Sequence, residues 1–258
     1  MLGLALVLAL QVPLHATMAT DVRRLDVSEP RVVIQVTGGE LQGQPARLAW
    51  SPDQRELYVR AVRTDRWGNE RVWHYVVRLA ETRLTPVESE PPWAQAYWLR
   101  KSAFAAPGLA DFRIAVETRE TRRTATGSGS GIGQNGGDPN LGAELGPQGQ
   151  AIIMSSLQAQ RVSTTTFRLK DQLLGEFVNE PAVLGLTFGW APAGSGMIVF
   201  ANTKRRLVLM DASGRTRAVP GVKDVLLPAW SDDGARVACF QRSARDRYAL
   251  TILDVSTQ

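Results

Sequence analysis

Four times along this chain an anchor residue is followed by a turn rich in Pro or Gly. Seven residues after each anchor comes an apolar triplet. The fullest copy is Trp230-Ser231-Asp232-Asp233-Gly234, leading into Val237-Ala238-Cys239-Phe240. Trp190-Ala191-Pro192-Ala193-Gly194 leads into Met197-Ile198-Val199-Phe200, and Trp50-Ser51-Pro52-Asp53-Gln54 into Leu57-Tyr58-Val59. A weaker copy, Leu145-Gly146-Pro147-Gln148-Gly149, leads into Ile152-Ile153-Met154. Anchors 190 and 230 are 40 residues apart, and anchors 145 and 190 are 45 apart. The longer interval from 50 to 145 holds two periods, with a degenerate copy at Phe104-Ala105-Ala106-Pro107-Gly108. A repeat of about 40–45 residues made of short strands cannot bury its own apolar face and must stack on its neighbours. The expected fold is therefore all-β: a β-propeller of five blades, within a range of four to six.

The turn residues follow from backbone sterics. Pro52 presets φ for the first turn position, and Asp53 suits the next. Gly149, Gly194 and Gly234 supply the left-handed conformation that returns the chain into a strand. Gln54 stands where the other copies have Gly, so strain is expected there, and Gln54→Gly should be neutral or stabilising. The flat indoles of Trp50, Trp190 and Trp230 are of the size that fills the wedge between two blades.

Between anchors, strands are expected near 56–62, 71–78 and 82–87, the last outermost because Pro86 cannot donate to a central ladder. Each later copy adds an apolar strand ending on Asp171, Asp211 or Asp254. The final copy runs out of chain before an outer strand. Arg31–Thr37 belongs to no complete blade, so it is the expected donor, pairing with the last blade and closing the ring. The resulting single domain spans 31–258. The stretch 124–144, with Gly127–Asn140 at its centre, has almost no apolar content and is expected to be a flexible surface loop. It lacks the Lys-Ser/Thr of a phosphate-cradling loop.

Trp50–Val59 and Leu227–Phe240 resemble the WD40-like repeat of the TolB C-terminal domain family. The strands ending on Asp211 and Asp254 are similar to that repeat's following strand. The resemblance covers about 46–255. It implies a secreted or periplasmic propeller that binds proteins or components of the cell envelope.

Met1–Ala19 carries an apolar run, Leu2–Leu10, followed by small residues, as in an export signal, although no basic residue precedes the run. The run is too short to span a membrane. Periplasmic or secreted localisation is expected. The lone cysteine, Cys239, allows no disulfide within the chain and is expected to be a buried, inert thiol. Formal net charge is +5, carried almost wholly by Arg. With acids interspersed, this charge is read as solvation, and no nucleic-acid partner is expected.

Beyond the signal-like segment the only histidine is His74, too little for a multi-histidine metal site, and there is no Gly-x-Ser-x-Gly elbow. No cofactor, metal or catalytic residue is assigned. Aromatics and arginines cluster between residues 63 and 100, the composition of interface hot spots. From this cluster the candidate binding residues are Arg66, Trp67, Trp73, His74 and Tyr97, with Trp67 foremost because it sits at a hairpin tip. Inter-blade packing is the competing role for these side chains. The leading expectation is thus an exported, non-catalytic module that binds a protein or an envelope component. The alternatives are a propeller enzyme, a glycan hydrolase or lyase with carboxylates in its central funnel, and a structural subunit of a larger assembly.

Overall fold

A computed structural model of the chain describes residues 21–123, 160–178 and 186–257. The signal-like segment, the Gly-rich stretch 124–144 and the Leu145 anchor lie outside the described residues. The chain is all-β, and its main sheets are four blades of the propeller type.

A short 3-10 turn at Val22–Arg24 leads into β1 (Leu25–Val27) and β2 (Arg31–Thr37). The Trp50 blade follows as β3 (Gln44–Trp50), β4 (Glu56–Thr64), β5 (Glu70–Arg78) and β6 (Arg83–Val87), hydrogen-bonded in that order. Pro86 lies on the edge strand, where no donor is needed. Next come a helix, α1 (Pro92–Lys101), and a small pair, β7 (Ala105–Ala106) with β8 (Leu109–Arg113). A three-stranded sheet follows, built from β9 (Ala115–Arg123), β10 (Gln160–Leu169) and β11 (Gln172–Val178) in the order β11-β10-β9. The Trp190 blade is β12 (Phe188–Trp190), β13 (Met197–Ala201), β14 (Leu207–Asp211) and β15 (Thr216–Ala218). The Trp230 blade is β16 (Val225–Trp230), β17 (Arg236–Ala244) and β18 (Arg247–Thr257).

By contacts the chain divides into two compact units. The smaller comprises 116–123, 160–167 and 176–178 among the described residues. Its sheet is held by the Phe167 and Phe177 rings, 5.4 Å apart, and by the Thr118 and Thr165 hydroxyls at 3.1 Å. The larger unit carries the three tryptophan blades.

Within the larger unit each anchor Trp is the last residue of its blade's first strand, and all three are fully buried. Trp50 Nε1 donates to the Ala229 carbonyl at 3.0 Å, joining the Trp50 and Trp230 blades. One apolar core lies between those two blades and another between the Trp230 and Trp190 blades. Strands β12 and β16 approach so closely that a Cβ on Gly189 would stand 2.9 Å from the Pro228 carbonyl oxygen. Glycine is the residue that permits this spacing. Pro228 itself is tolerated in β16 because the pairing with β17 shifts register between Leu226 and Ala229, and Leu227 takes φ +54°.

β2 pairs antiparallel with β18 from Arg247↔Thr37 to Ile252↔Arg31, so Arg31–Thr37 is the outer strand of the Trp230 blade. β1 pairs with the far end of the same strand. The segment before them is fastened to the Trp190 blade. Asp211, fully buried, accepts the Val22 backbone N–H at 3.2 Å, and Arg215 bridges Asp211 and Asp21, both at 2.8 Å.

The degenerate copy near Phe104 builds no four-stranded blade among the described residues. In its place stand α1 and the short β7-β8 pair. The helix has an ordinary cause: Pro92 opens it, its interior lacks Gly and β-branched residues, and Ala94, Tyr97 and Lys101 recur at helical spacing as its buried face.

Candidate functional site

The repeated turn contains a device that sequence reasoning did not identify. Ser51 Oγ donates to Asp53 Oδ1 at 2.7 Å and accepts the Glu56 N–H at 2.9 Å. Ser231 does the same with Asp233 at 2.6 Å and the Arg236 N–H at 2.9 Å. The signal was present as Ser-x-Asp after each of these two tryptophans. It is structural: hydroxyl and carboxylate together satisfy the backbone donors of the turn. Gln54 has φ +59°, as its place in the frame requires. It also accepts two bonds from Arg236, and Arg236 lies over the Trp50 ring at 4.9 Å. Gln54, Glu56, Arg78, Glu81 and Arg236 line an open groove of about 700 Å³ at this end of the Trp50 and Trp230 blades. Within it Arg78 is paired with Glu56 at 3.2 Å and with Glu81 at 3.4 Å.

Within the larger unit, α1 packs against β3 and β12 and reaches β16. Leu48, Phe188, Gly189 and Pro228 face Tyr97, Trp98 and Lys101 across a space of about 10 Å³, at the lower limit for one water. Tyr97 is buried there, and its hydroxyl donates to the Trp230 carbonyl at 2.7 Å. Of the five candidate binding residues it is the one withdrawn from the surface. Lys101, 5% exposed, is paired with Asp232 at 3.2 Å, and burial pulls its ammonium below the usual lysine range. Among the described residues no three His, Cys, Asp or Glu side chains gather as a metal site would require. The Cys239 thiol is wholly buried and pushed by desolvation up to about 12.

His74 lies half-buried on β5, with Nδ1 2.6 Å from the Tyr58 hydroxyl and the two rings stacked at 6.0 Å. Burial, and next the nearby Glu90 carboxylate, push the Tyr58 phenol up, so it stays protonated. The pair sits on a blade face under Trp93, whose ring meets Tyr58 edge-on at 6.4 Å. This makes His74 part of the packing between sheet and helix. Trp73, its neighbour, is half-buried against the core, with the Arg63 guanidinium 5.9 Å over its ring.

Arg66 and Trp67 remain. They occupy the tip of the β4–β5 hairpin, whose two nine-residue strands pair from Glu56↔Arg78 to Thr64↔Glu70. Trp67 is 71% exposed, the most exposed large apolar side chain among the described residues. The Arg66 guanidinium lies 3.9 Å over the indole. The tip is ordered by Asp65, which accepts the Trp67 and Asn69 backbone N–H groups at 2.9 Å each and the Asn69 side-chain amide at 3.0 Å. The Asn69 amide leads these bonds in holding the Asp65 carboxyl below the usual carboxylate range. Gly68 at φ +86° closes the turn. An exposed indole on a rigid tip loses little entropy when a partner covers it.

Among the described residues no helix is long and apolar enough to cross a membrane. Compared with protein-family models and with curated proteins, the chain finds no match.

Proposed function

We propose that this protein is an exported, non-catalytic β-propeller that serves as a binding module for a protein or another component of the cell envelope. In this reading the ring has five blades and is closed by β2 on the Trp230 blade. Residues 1–19 direct export, and the likeness of the repeat to the TolB C-terminal domain reflects a shared mode of action. The observation that carries the reading is Trp67. A side chain of this size stays 71% exposed only at an energetic disadvantage, and here it is held at a pre-ordered tip beneath a cation.

The test is site-specific photo-crosslinking. A benzophenone amino acid replaces Trp67, and a control variant carries it at exposed Ala80, in the turn at the other end of the same blade. Irradiation in envelope extract should give an adduct from position 67 and not from position 80. Equal labelling from both positions, or from neither, overturns the reading.

A further inference from the structure

The tip of the β4–β5 hairpin belongs to a larger surface. The loop between β2 and β3 lies against this hairpin: the Tyr75 hydroxyl, midway along β5, donates to the Glu40 carbonyl, and nearer the tip a Cβ on Gly43 would stand 2.5 Å from the Val62 carbonyl oxygen. In that loop Gly38 donates its backbone N–H to Asp246, in the β17–β18 turn. Arg242, where that hairpin begins, donates its backbone N–H to Asp224. Val225 donates in turn to Arg205, in the β13–β14 turn. These contacts bring the central hairpins of all three tryptophan blades to one end of the larger unit.

That end is cationic. Lys204, Arg205 and Arg206 stand exposed on one hairpin, Arg245 and Arg247 on the next, and Lys223 on the loop between them. Arg63, Arg66 and Arg71 flank Trp67 on the third. None of these nine makes an ion pair with a described carboxylate. The carboxylates at this end are fewer, and two of them are engaged locally: Asp65 holds its own turn, and Glu40 accepts the Thr37 N–H and hydroxyl. At the opposite end Arg78, Arg100 and Arg215 are each bonded to carboxylates, while the exposed Arg55 and Arg83, which flank Arg78, make no ion pair with a described carboxylate. Unpaired cations held at turn tips repel one another, and a surface that keeps them gains most from an anionic partner.

We propose that this end of the propeller docks on an anionic phospholipid surface, with the hairpin cations over the headgroups and Trp67 at the lipid–water boundary. The proposal rests on the binding reading above and names its envelope component. Three features favour a membrane over other polyanions. The cations are spread over three separate hairpin turns and one loop, and the pocket that Arg247 lines beside Glu40, about 160 Å³, is too small to follow a nucleic-acid backbone. The face presents one exposed indole, where single-strand binders present several for successive bases. An indole beside arginine at a projecting tip is the pairing that anchors proteins at the interfacial layer.

Vesicles of phosphatidylcholine with and without phosphatidylglycerol test it by co-sedimentation. The protein should bind the anionic vesicles, leave the neutral ones in solution, and be released as salt rises to about 0.5 M. The triple variant Arg66→Gln/Arg205→Gln/Arg245→Gln should bind on the order of a hundredfold more weakly, at unchanged melting temperature. Vesicle binding should shift indole emission to shorter wavelength in the parent and not in Trp67→Phe. Equal partition onto both vesicle types, no partition onto either, or indifference to the triple variant overturns the proposal. If vesicles are ignored while position 67 still crosslinks to a protein, the lipid assignment falls and the binding reading stands. If both fail, both fall.

Discussion

The Arg236 guanidinium donates to Gln54 twice, to its carbonyl at 3.1 Å and to its side-chain Oε1 at 2.9 Å, joining the first turn of the Trp230 blade to that of the Trp50 blade. Gln54 is the repeat's departure from glycine, and its backbone carries the left-handed φ of +59° that the frame demands. Strain and cross-blade bonding thus fall on one residue.

Gln54→Gly should relieve the strain and lose only the Oε1 bond, for a net change within about 1 kcal/mol of zero. Gln54→Ala keeps the strain and loses the same bond, and should destabilise by about 1–2 kcal/mol. Urea unfolding of both variants separates the two contributions. An Ala variant as stable as the Gly variant would refute this account.

Trp230 and Trp67 have opposite expected phenotypes. Trp230 is fully buried, with Nε1 donating to the Gly234 carbonyl, and its replacement by Ala should cost about 3–5 kcal/mol. Trp67→Ala should leave stability within about 0.5 kcal/mol of the parent while abolishing capture of the partner. Thermal melts run beside the binding assay provide the comparison.

Asp211 should govern the acid limb of stability. Burial acts to raise its carboxyl, but bonds from Ser213, Val22 and Arg215 outweigh it and hold the group below its usual range. The folded state therefore takes up this proton at lower pH than the unfolded chain does. The resulting stability is in place above about pH 4 and lost as pH falls below it. Asp211→Asn should cost about 2 kcal/mol near neutrality and flatten the profile below pH 4. Denaturant midpoints measured across the acid range test both parts.

β2 contributes Val33, Ile34 and Val36 to the core between the Trp50 and Trp230 blades. Ile34→Ala should cost about 2–4 kcal/mol, and excision of 31–37 should leave too little stability for cooperative unfolding. Calorimetry decides: a sharp transition at the parental temperature in the excised chain would show β2 to be dispensable.

The blade strands were readable because each obeys a local rule. A Trp, a turn with Pro or Gly and an apolar triplet specify a strand–turn–strand wherever they occur, and Arg31–Thr37 announced itself by β-branching and by lacking a blade of its own. The helix α1 was missed although Pro92 and the spacing of Ala94, Tyr97 and Lys101 were visible, because its aromatic residues were read only as members of a cluster with arginines. Trp67 was singled out from its place between Arg66 and Gly68. Tyr97 could not be told from it by composition, since aromatic residues near arginines occur both in cores and on surfaces.

What local chemistry could determine, the amino-acid order determined unaided: strand character, turn positions, the demand for a left-handed residue at 54, and a thiol with no partner. The tertiary arrangement alone decided that Arg236 would reach Gln54, that Tyr97 would be buried against Trp230, and that basic hairpins from three blades would share one end. These outcomes depend on distances between residues as many as 182 apart in the chain, set when neighbouring blades pack through their indoles. No local propensity encodes such a distance, because it is a property of the assembled sheets and of no single strand.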